Sequence, residues 1–221
     1  IFIFRTLKKV QIKNKKIALQ SLRREMNPHF IFNSLNSVNH FIATNNELEA
    51  NQYLTKFSKL MRGVMENSTE DFIPFQQELD LLQNYLALEK TRFADKFDYE
   101  IHVDESLNTQ SLKVPGMLVQ PFLENAIWHG LRYRTTKGFL NLSFEKENEQ
   151  LKITVEDNGI GIEESKKQKT EHQKARKGRG MKNTLERIDL LNDLYKKEIL
   201  CTVKDKENNF GVLVILKLNL M

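Results

Sequence analysis

Val155-Glu156-Asp157-Asn158-Gly159-Ile160-Gly161 is the stretch on which the reading of this chain turns. It follows Leu151 to Val155, where apolar and polar residues alternate as they do in a half-buried strand. At the strand end Asp157 offers a carboxylate that can accept a hydrogen bond from an exocyclic amine, and the glycines let backbone approach a ligand with no Cβ in the way. Taken alone, this is a glycine turn. Seventeen residues further on, Gly178-Arg179-Gly180 precedes an amphipathic pattern from Met181 to Leu194. Glycines opening a helix there would present free N–H groups and the positive end of the dipole to an anion such as a phosphate.

Working outward toward the N-terminus, Pro115 to Leu131 reads as a helix starting at a proline, and Phe139 to Glu145 as a strand. Inside that helix, Glu124 and Asn125 are adjacent polar residues among apolar neighbours, in Pro121-Phe122-Leu123-Glu124-Asn125-Ala126-Ile127-Trp128-His129-Gly130. An amide oxygen such as that of Asn125 is a hard ligand suited to Mg²⁺. Phe97 to Val103 alternates as a strand, Phe75 to Phe93 repeats as a helix, and Ile199 to Val203 and Val212 to Leu218 read as two closing strands around Lys206-Glu207-Asn208-Asn209. Residues 163–179 carry seven basic and three acidic residues with no large apolar side chain, and are expected to form a mobile loop. The C-terminal region, 69–221, therefore reads as an α/β sandwich with helices on one face of a mixed sheet.

Residues 1–68 have a different period. Leu7, Val10, Ile17, Leu22, Met26, Phe30, Leu35, Val38, Phe41 and Ile42 recur at three- and four-residue steps, predicting a long helix bent at Pro28. A second helix runs from Glu47 to about Glu66, with Thr44-Asn45-Asn46 supplying turn and N-cap. One hairpin leaves its apolar stripe wet, so a homodimer closing a four-helix bundle is expected. The fold class is thus α+β, with domains 1–68 and 69–221.

Composition narrows the functions. Cys201 is the only cysteine, which excludes an intrachain disulfide and a thiolate cluster. Net charge is +5, and residues 1–24 hold eight basic residues and no acidic one. That stripe lacks interleaved aromatics, which argues against nucleic acid. It suits the cytoplasmic exit of a membrane span, although Ile1-Phe2-Ile3-Phe4 is too short to be one.

The ordered set E-N-x-x-x-H-G, D-x-G-x-G and G-x-G resembles the N, G1 and G2 boxes of the Bergerat-type ATP-binding fold of histidine kinases, gyrase, Hsp90 and MutL. Upstream, Asn27-Pro28-His29-Phe30-Ile31-Phe32-Asn33-Ser34-Leu35-Asn36 resembles the phosphoacceptor motif of LytS-type sensor histidine kinases. The resemblance implies ATP and Mg²⁺ as cofactors, with Asp157 on the adenine amine, Gly159 and Gly161 making room for the base, Asn125 on Mg²⁺, and Gly178 and Gly180 flanking the phosphates. Asn183 lies within the G2 motif, at the phosphate end. Glu124 matches the acid of the N box, and His29 the phosphoacceptor, with Asn33 four residues on to orient its ring or a water. Two positions depart from the commoner pattern. Trp128 stands where many kinases carry a basic residue, leaving His129, Lys166, Lys174 or Arg176 to serve the phosphates. Phe30 stands where the commonest class has an acid. The implied activity is autophosphorylation of His29 and transfer to an aspartate of a response regulator, in the cytoplasmic part of a membrane protein whose sensor segment lies upstream. A gyrase-like ATPase with water as acceptor, and a nucleotide-binding dimeric scaffold, are the alternatives.

Overall fold

The computed structural model describes residues 2–25, 28–44, 46–67, 70–93, 95–167, 171–206 and 210–220, and excludes the side chains of 2–5, 23–25, 28–30, 33 and 171–179. The helical region holds α1 (Phe2–Glu25) and α2 (Pro28–Ala43); the junction at 26–27, where the expected helix would continue into its bend, lies outside the described residues. The next helix, α3 (Glu47–Glu66), begins at the expected cap, where the Asn46 side chain accepts from the Glu49 N–H at 3.3 Å. Glu47 and Glu49 in its first turn suit the dipole.

The apolar stripe is divided: Phe41, Leu60 and Val64 are buried within the chain, and other members are exposed. On α2 the buried positions are Ser34, Ser37 and Phe41, whereas Phe32, Leu35 and Ile42 are exposed. On α1, Leu7, Val10 and Ile17 are exposed and Leu19 is buried; on α3, Leu48 and Met65 are 69% and 68% exposed. A hairpin can bury one face within its own chain, and here that face packs α2 on α3, α3 on α4 and α1 on α7. Among the described residues, no helix is long and apolar enough to cross a membrane.

A short strand β1 (Phe72–Pro74) leads into α4 (Phe75–Arg92), whose first turn holds Glu78 and whose last holds Lys90 and Arg92, each sign at its favoured end. Strand β2 (Phe97–Val103) follows, then β3 (Lys113–Pro115), which pairs antiparallel with β1. Pro115 thus ends a strand. The helix expected from it starts later and is shorter: α5 (Gln120–Asn125) runs into a π turn (Ala126–Gly130) and a 3₁₀ turn (Leu131–Tyr133). Between Pro115 and α5 the chain turns at Met117, with φ +59. The buried Glu78 carboxylate accepts from the Met117 N–H at 2.7 Å, and Arg187 donates to the carbonyls of Met117 and Gly116. This buried clamp fixes the segment that launches α5. Burial pushes the Glu78 carboxyl up to about 7, against the pull of the Met117 N–H and of Arg187.

The sheet is completed by β4 (Gly138–Glu147), β5 (Gln150–Asp157), β6 (Leu200–Asp205) and β7 (Val212–Asn219). Its order is β2-β4-β5-β7-β6, with β2 parallel to β4 and the other pairs antiparallel. Strand β5 alternates strictly in burial, with Leu151, Ile153, Val155 and Asp157 inward. These side chains join Leu142, Phe144, Leu216 and Leu218 under α4, α5 and α7, where Leu82, Leu86, Leu123 and Leu191 close the core. The expected α/β sandwich is present.

Where a loop was expected over 163–179, the described residues are helical, in α6 (Gly161–Lys167) and α7 (Glu171–Tyr195), and 168–170 lie outside the described residues. Residues 171–179 lack apolar groups but are rich in Glu, Gln, Lys, Ala and Arg, which are good helix formers. The absence of anything to bury excludes a core element, not a helix.

Candidate functional site

Because β5 faces its odd residues inward, its last residue, Asp157, is delivered to the inner face at the end of this central strand and is only 3% exposed. Its Oδ1 accepts from the Gly159 N–H at 2.7 Å. Burial pushes the carboxyl up to about 6, opposed by the N–H groups of Gly159 and Val212 and by the Lys206 ammonium. A buried carboxylate with an upward-shifted pKa gains when a ligand donates to it.

Two glycines flank this carboxyl, and a third lies against the Asp157 backbone. A Cβ on Gly130 would sit 3.1 Å from Asp157 Oδ1, and one on Gly159 would sit 2.6 Å from the Gly130 Cα and 2.7 Å from Asp157 Oδ1. Gly159 is therefore required by the protein itself: it lets the loop after β5 touch the end of the π turn. Gly211, with φ +98, passes so close to Asp157 that a Cβ would lie 2.0 Å from its carbonyl oxygen. Gly161, with φ +78, turns the chain into α6, whose Ile162 N–H donates to Asp205 Oδ1 at 2.7 Å. Asn158 holds the other side, its Oδ1 accepting from the Phe139 N–H at 2.7 Å and its carbonyl from Arg134. Sequence reasoning assigned nothing to Gly130, Asn158 or Gly211. A glycine between an Asn-rich turn and a β strand was the available signal for Gly211.

Glu124 and Asn125 are half-buried at the end of α5, and His129 is half-buried on the π turn that follows. Turns of this wide type within helices recur at functional sites. Trp128 is buried, edge-on to Phe93 at 5.2 Å, with the guanidinium of Arg92 4.2 Å from its ring centroid and that of Arg132 5.1 Å from it. The position that departs from the family pattern is thus filled by a cation-stacked indole.

The structure brings Gly130, Asp157 and Gly159 together at one end of the sheet, with Gly161 opening α6 and Asn125 just before the π turn that ends at Gly130, and packs α5 against α7, which carries the half-buried Asn183. Gly178 and Gly180 do not open a helix; both lie within α7. A Cβ on Gly180 would meet nothing within 4 Å. His29 and Asn33 stand on α2, with side chains outside the described residues, as are those of Lys174 and Arg176; Lys166 is engaged by Glu163 at 2.8 Å on α6. A cleft of about 810 Å³ opens between α3 and α4, lined by Arg62, Glu66, Gln77 and Asp80; it contains none of the motif residues.

A family model described as "Histidine kinase" matches residues 17–97. The sensor protein LytS of Oceanobacillus iheyensis is 33% identical over 171 residues, which is 76% of this chain and 29% of that protein. The sensor histidine kinase YpdA of Escherichia coli is 34% identical over 148 residues, 67% of this chain and 26% of that protein. The chain belongs to the histidine kinase family, among relatives of the LytS type. It spans under a third of the length of these curated relatives. Among solved structures, the histidine kinase domain of the blue-light activated histidine kinase EL346 from Erythrobacter litoralis superposes with a TM-score of 0.46 at 16% identity, covering 93% of this chain and 95% of that one.

Proposed function

We propose that this chain is the kinase core of a two-component sensor, divided at 68/69, in which ATP bound at the Asp157 end of the sheet phosphorylates His29. The phosphoryl group then passes to an aspartate on a response-regulator receiver domain. The observation that carries the reading is the buried Asp157 carboxyl, cradled by glycines from both the motif after β5 and the motif of the π turn. Its depth and its elevated pKa suit an uncharged donor such as an adenine amine. Asn125, half-exposed just before the π turn that ends at Gly130, would hold Mg²⁺, which would supply positive charge to offset that of the phosphates. Near pH 7 a neutral imidazole at His29 has a lone pair for in-line attack on the γ-phosphorus; the P–O bond to ADP breaks, and the ring proton on the other nitrogen is lost. The ring thus needs no prior deprotonation, consistent with Phe30 in place of an acid. Incubation with γ-labelled ATP and Mg²⁺, followed by a receiver domain, is expected to label first this chain and then the receiver. Rapid phosphate release with no labelled chain would overturn the reading.

Gly178 and Gly180 serve the phosphates once the start of α7 unwinds. Each glycine inside a helix costs about 1 kcal/mol relative to alanine, so the segment is poised to open. Gly180→Ala, which clashes with nothing, is expected to weaken ATP binding about fivefold by stabilising the wound form. Calorimetry checks this, and unchanged affinity would mean that the helix stays wound.

A second copy covers Phe32, Leu35, Ile42 and Leu48, and the basic stretch of residues 1–24 faces an anionic membrane surface on the cytoplasmic side. Light scattering at micromolar concentration is expected to give a dimer, and Leu35→Glu with Ile42→Glu a monomer; a monomeric wild type would contradict the covered face.

A further inference from the structure

Among the described residues, the largest side chain buried in full is that of Arg187, on α7. Its guanidinium reaches the turn between β3 and α5, where Nη1 donates to the Met117 carbonyl at 2.9 Å and Nη2 to the carbonyl of Gly116. Two other elements grip the same turn. Glu78 of α4 accepts from the Met117 N–H at 2.7 Å, and a Cβ on Gly116 would sit 3.1 Å from Cδ1 of Ile73 on β1. Met117 has φ +59, a conformation that a residue other than glycine keeps only when its surroundings enforce it.

Two motifs meet at this fork. On α7, Asn183 stands one turn before Arg187, about 6 Å along the axis and on the same face. On the other side, α5 begins at Gln120, just after the gripped turn, and ends at Asn125. The two helices pack together, with Leu123, Ile188 and Leu191 buried. Beyond Arg187 the helix is tied again: the Asn192 amide donates to the Ile199 carbonyl at 3.0 Å and accepts from the Ile199 N–H at 2.8 Å.

Apolar side chains of the same volume would hold the two helices together at least as well as a buried charge does. What the guanidinium adds is direction, because two donors in a rigid plane on successive carbonyls fit one rotation of α7 and one height. A helix turned or slid by a residue would withdraw the fork and carry Asn183 with it. We infer that Arg187 is a positioning residue for the phosphate end of the nucleotide, anchoring α7 so that Asn183 is fixed relative to Asn125 of α5, given the proposed nucleotide site through which both asparagines enter.

Calorimetry on the full chain, below the melting range of each variant, tests this with adenosine and with ADP plus Mg²⁺ as probes. Adenosine reports the Asp157 end alone, and ADP with Mg²⁺ adds the phosphate end. Arg187→Met fills the volume without the fork. It is expected to weaken ADP–Mg²⁺ binding about tenfold, the scale on which contacts behind a metal ligand act, and to leave adenosine affinity at the wild-type value. Arg187→Lys keeps the charge but not the planar fork, and is expected to show the same split with a loss of about threefold, within the range of one hydrogen bond. Unchanged ADP–Mg²⁺ affinity, or a parallel fall for both probes, would overturn the assignment, and the lysine variant decides it if Arg187→Met does not fold. Hydrogen exchange of the wild type gives the same decision without a substitution: the amides of 184–191 are expected to stay protected with and without ADP and Mg²⁺, and exchange there as fast as at 180–183 would show that Arg187 anchors nothing. A wild type that binds neither probe removes the nucleotide site itself; a wild type that binds both, with Arg187 variants that bind equally well, removes only the role of Arg187.

Discussion

Asp157→Asn is expected to weaken adenine-nucleotide binding by about 10- to 150-fold while leaving the fold at least as stable as before. The range corresponds to a hydrogen bond to a charged group, worth about 1.5–3 kcal/mol. The substitution keeps the side-chain shape and leaves an oxygen to accept from the Gly159 N–H, so the cradle stays closed; what changes is that an amide replaces the acceptor-only carboxylate. The pH dependence follows from the direction of the pKa shift. The carboxyl of the folded chain is pushed up to about 6 from an ordinary 3.8, so the folded state binds more proton than the unfolded one between those values. Its contribution to stability is complete below about pH 4 and is lost as pH rises through 6. Binding runs the other way, since an amine donor favours the ionised form: affinity falls as pH drops through about 6. Calorimetric titration with adenosine, which carries no titrating phosphate, checks both statements. Tight, pH-independent binding in Asp157→Asn would remove Asp157 from the adenine contact.

Gly159→Ala is expected to destabilise the molecule by about 3 kcal/mol and to abolish nucleotide binding. The added carbon would lie 2.6 Å from one backbone atom of Gly130, 2.7 Å from another, and 2.7 Å from Asp157 Oδ1. Backbone cannot rotate away as a flexible side chain can, so the loop after β5 must separate from the π turn. Gly180→Ala, with nothing within 4 Å of the new carbon, is the matched control, expected to fold normally. Urea unfolding of the two variants checks the contrast, and equal stabilities would contradict the close approach.

The sequence reading succeeded where the period was long or strict. Strand β5 alternates in hydrophobicity and alternates in burial, which is why Asp157 could be placed at a buried strand end before any coordinates. The N-cap at Asn46 was legible for the same reason: local chemistry decides it. The losses came where tertiary context overrides local pattern. Pro115 satisfies the rule for a helix start, yet it pairs with Phe72 in a two-stranded ribbon, a contact no local window contains. Residues 171–179 looked like a loop because they bury nothing, while their propensity is helical. On α2 the burial of Ser34 and Ser37 was not legible, because periodicity within one segment does not report which face the neighbouring helix covers. Gly159 was singled out for the right position and an incomplete reason, since the ligand it spares was imagined and the backbone of Gly130 is observed.

The central claim is that His29 receives the γ-phosphoryl group of ATP held at Asp157. The most direct measurement is labelling of the chain with γ-labelled ATP and Mg²⁺, comparing wild type with His29→Gln after acid and alkali treatment. A phosphohistidine account predicts label that survives alkali, is lost in acid, and is absent from His29→Gln although that variant still binds ADP. Acid-stable label, or undiminished label in His29→Gln, would contradict it.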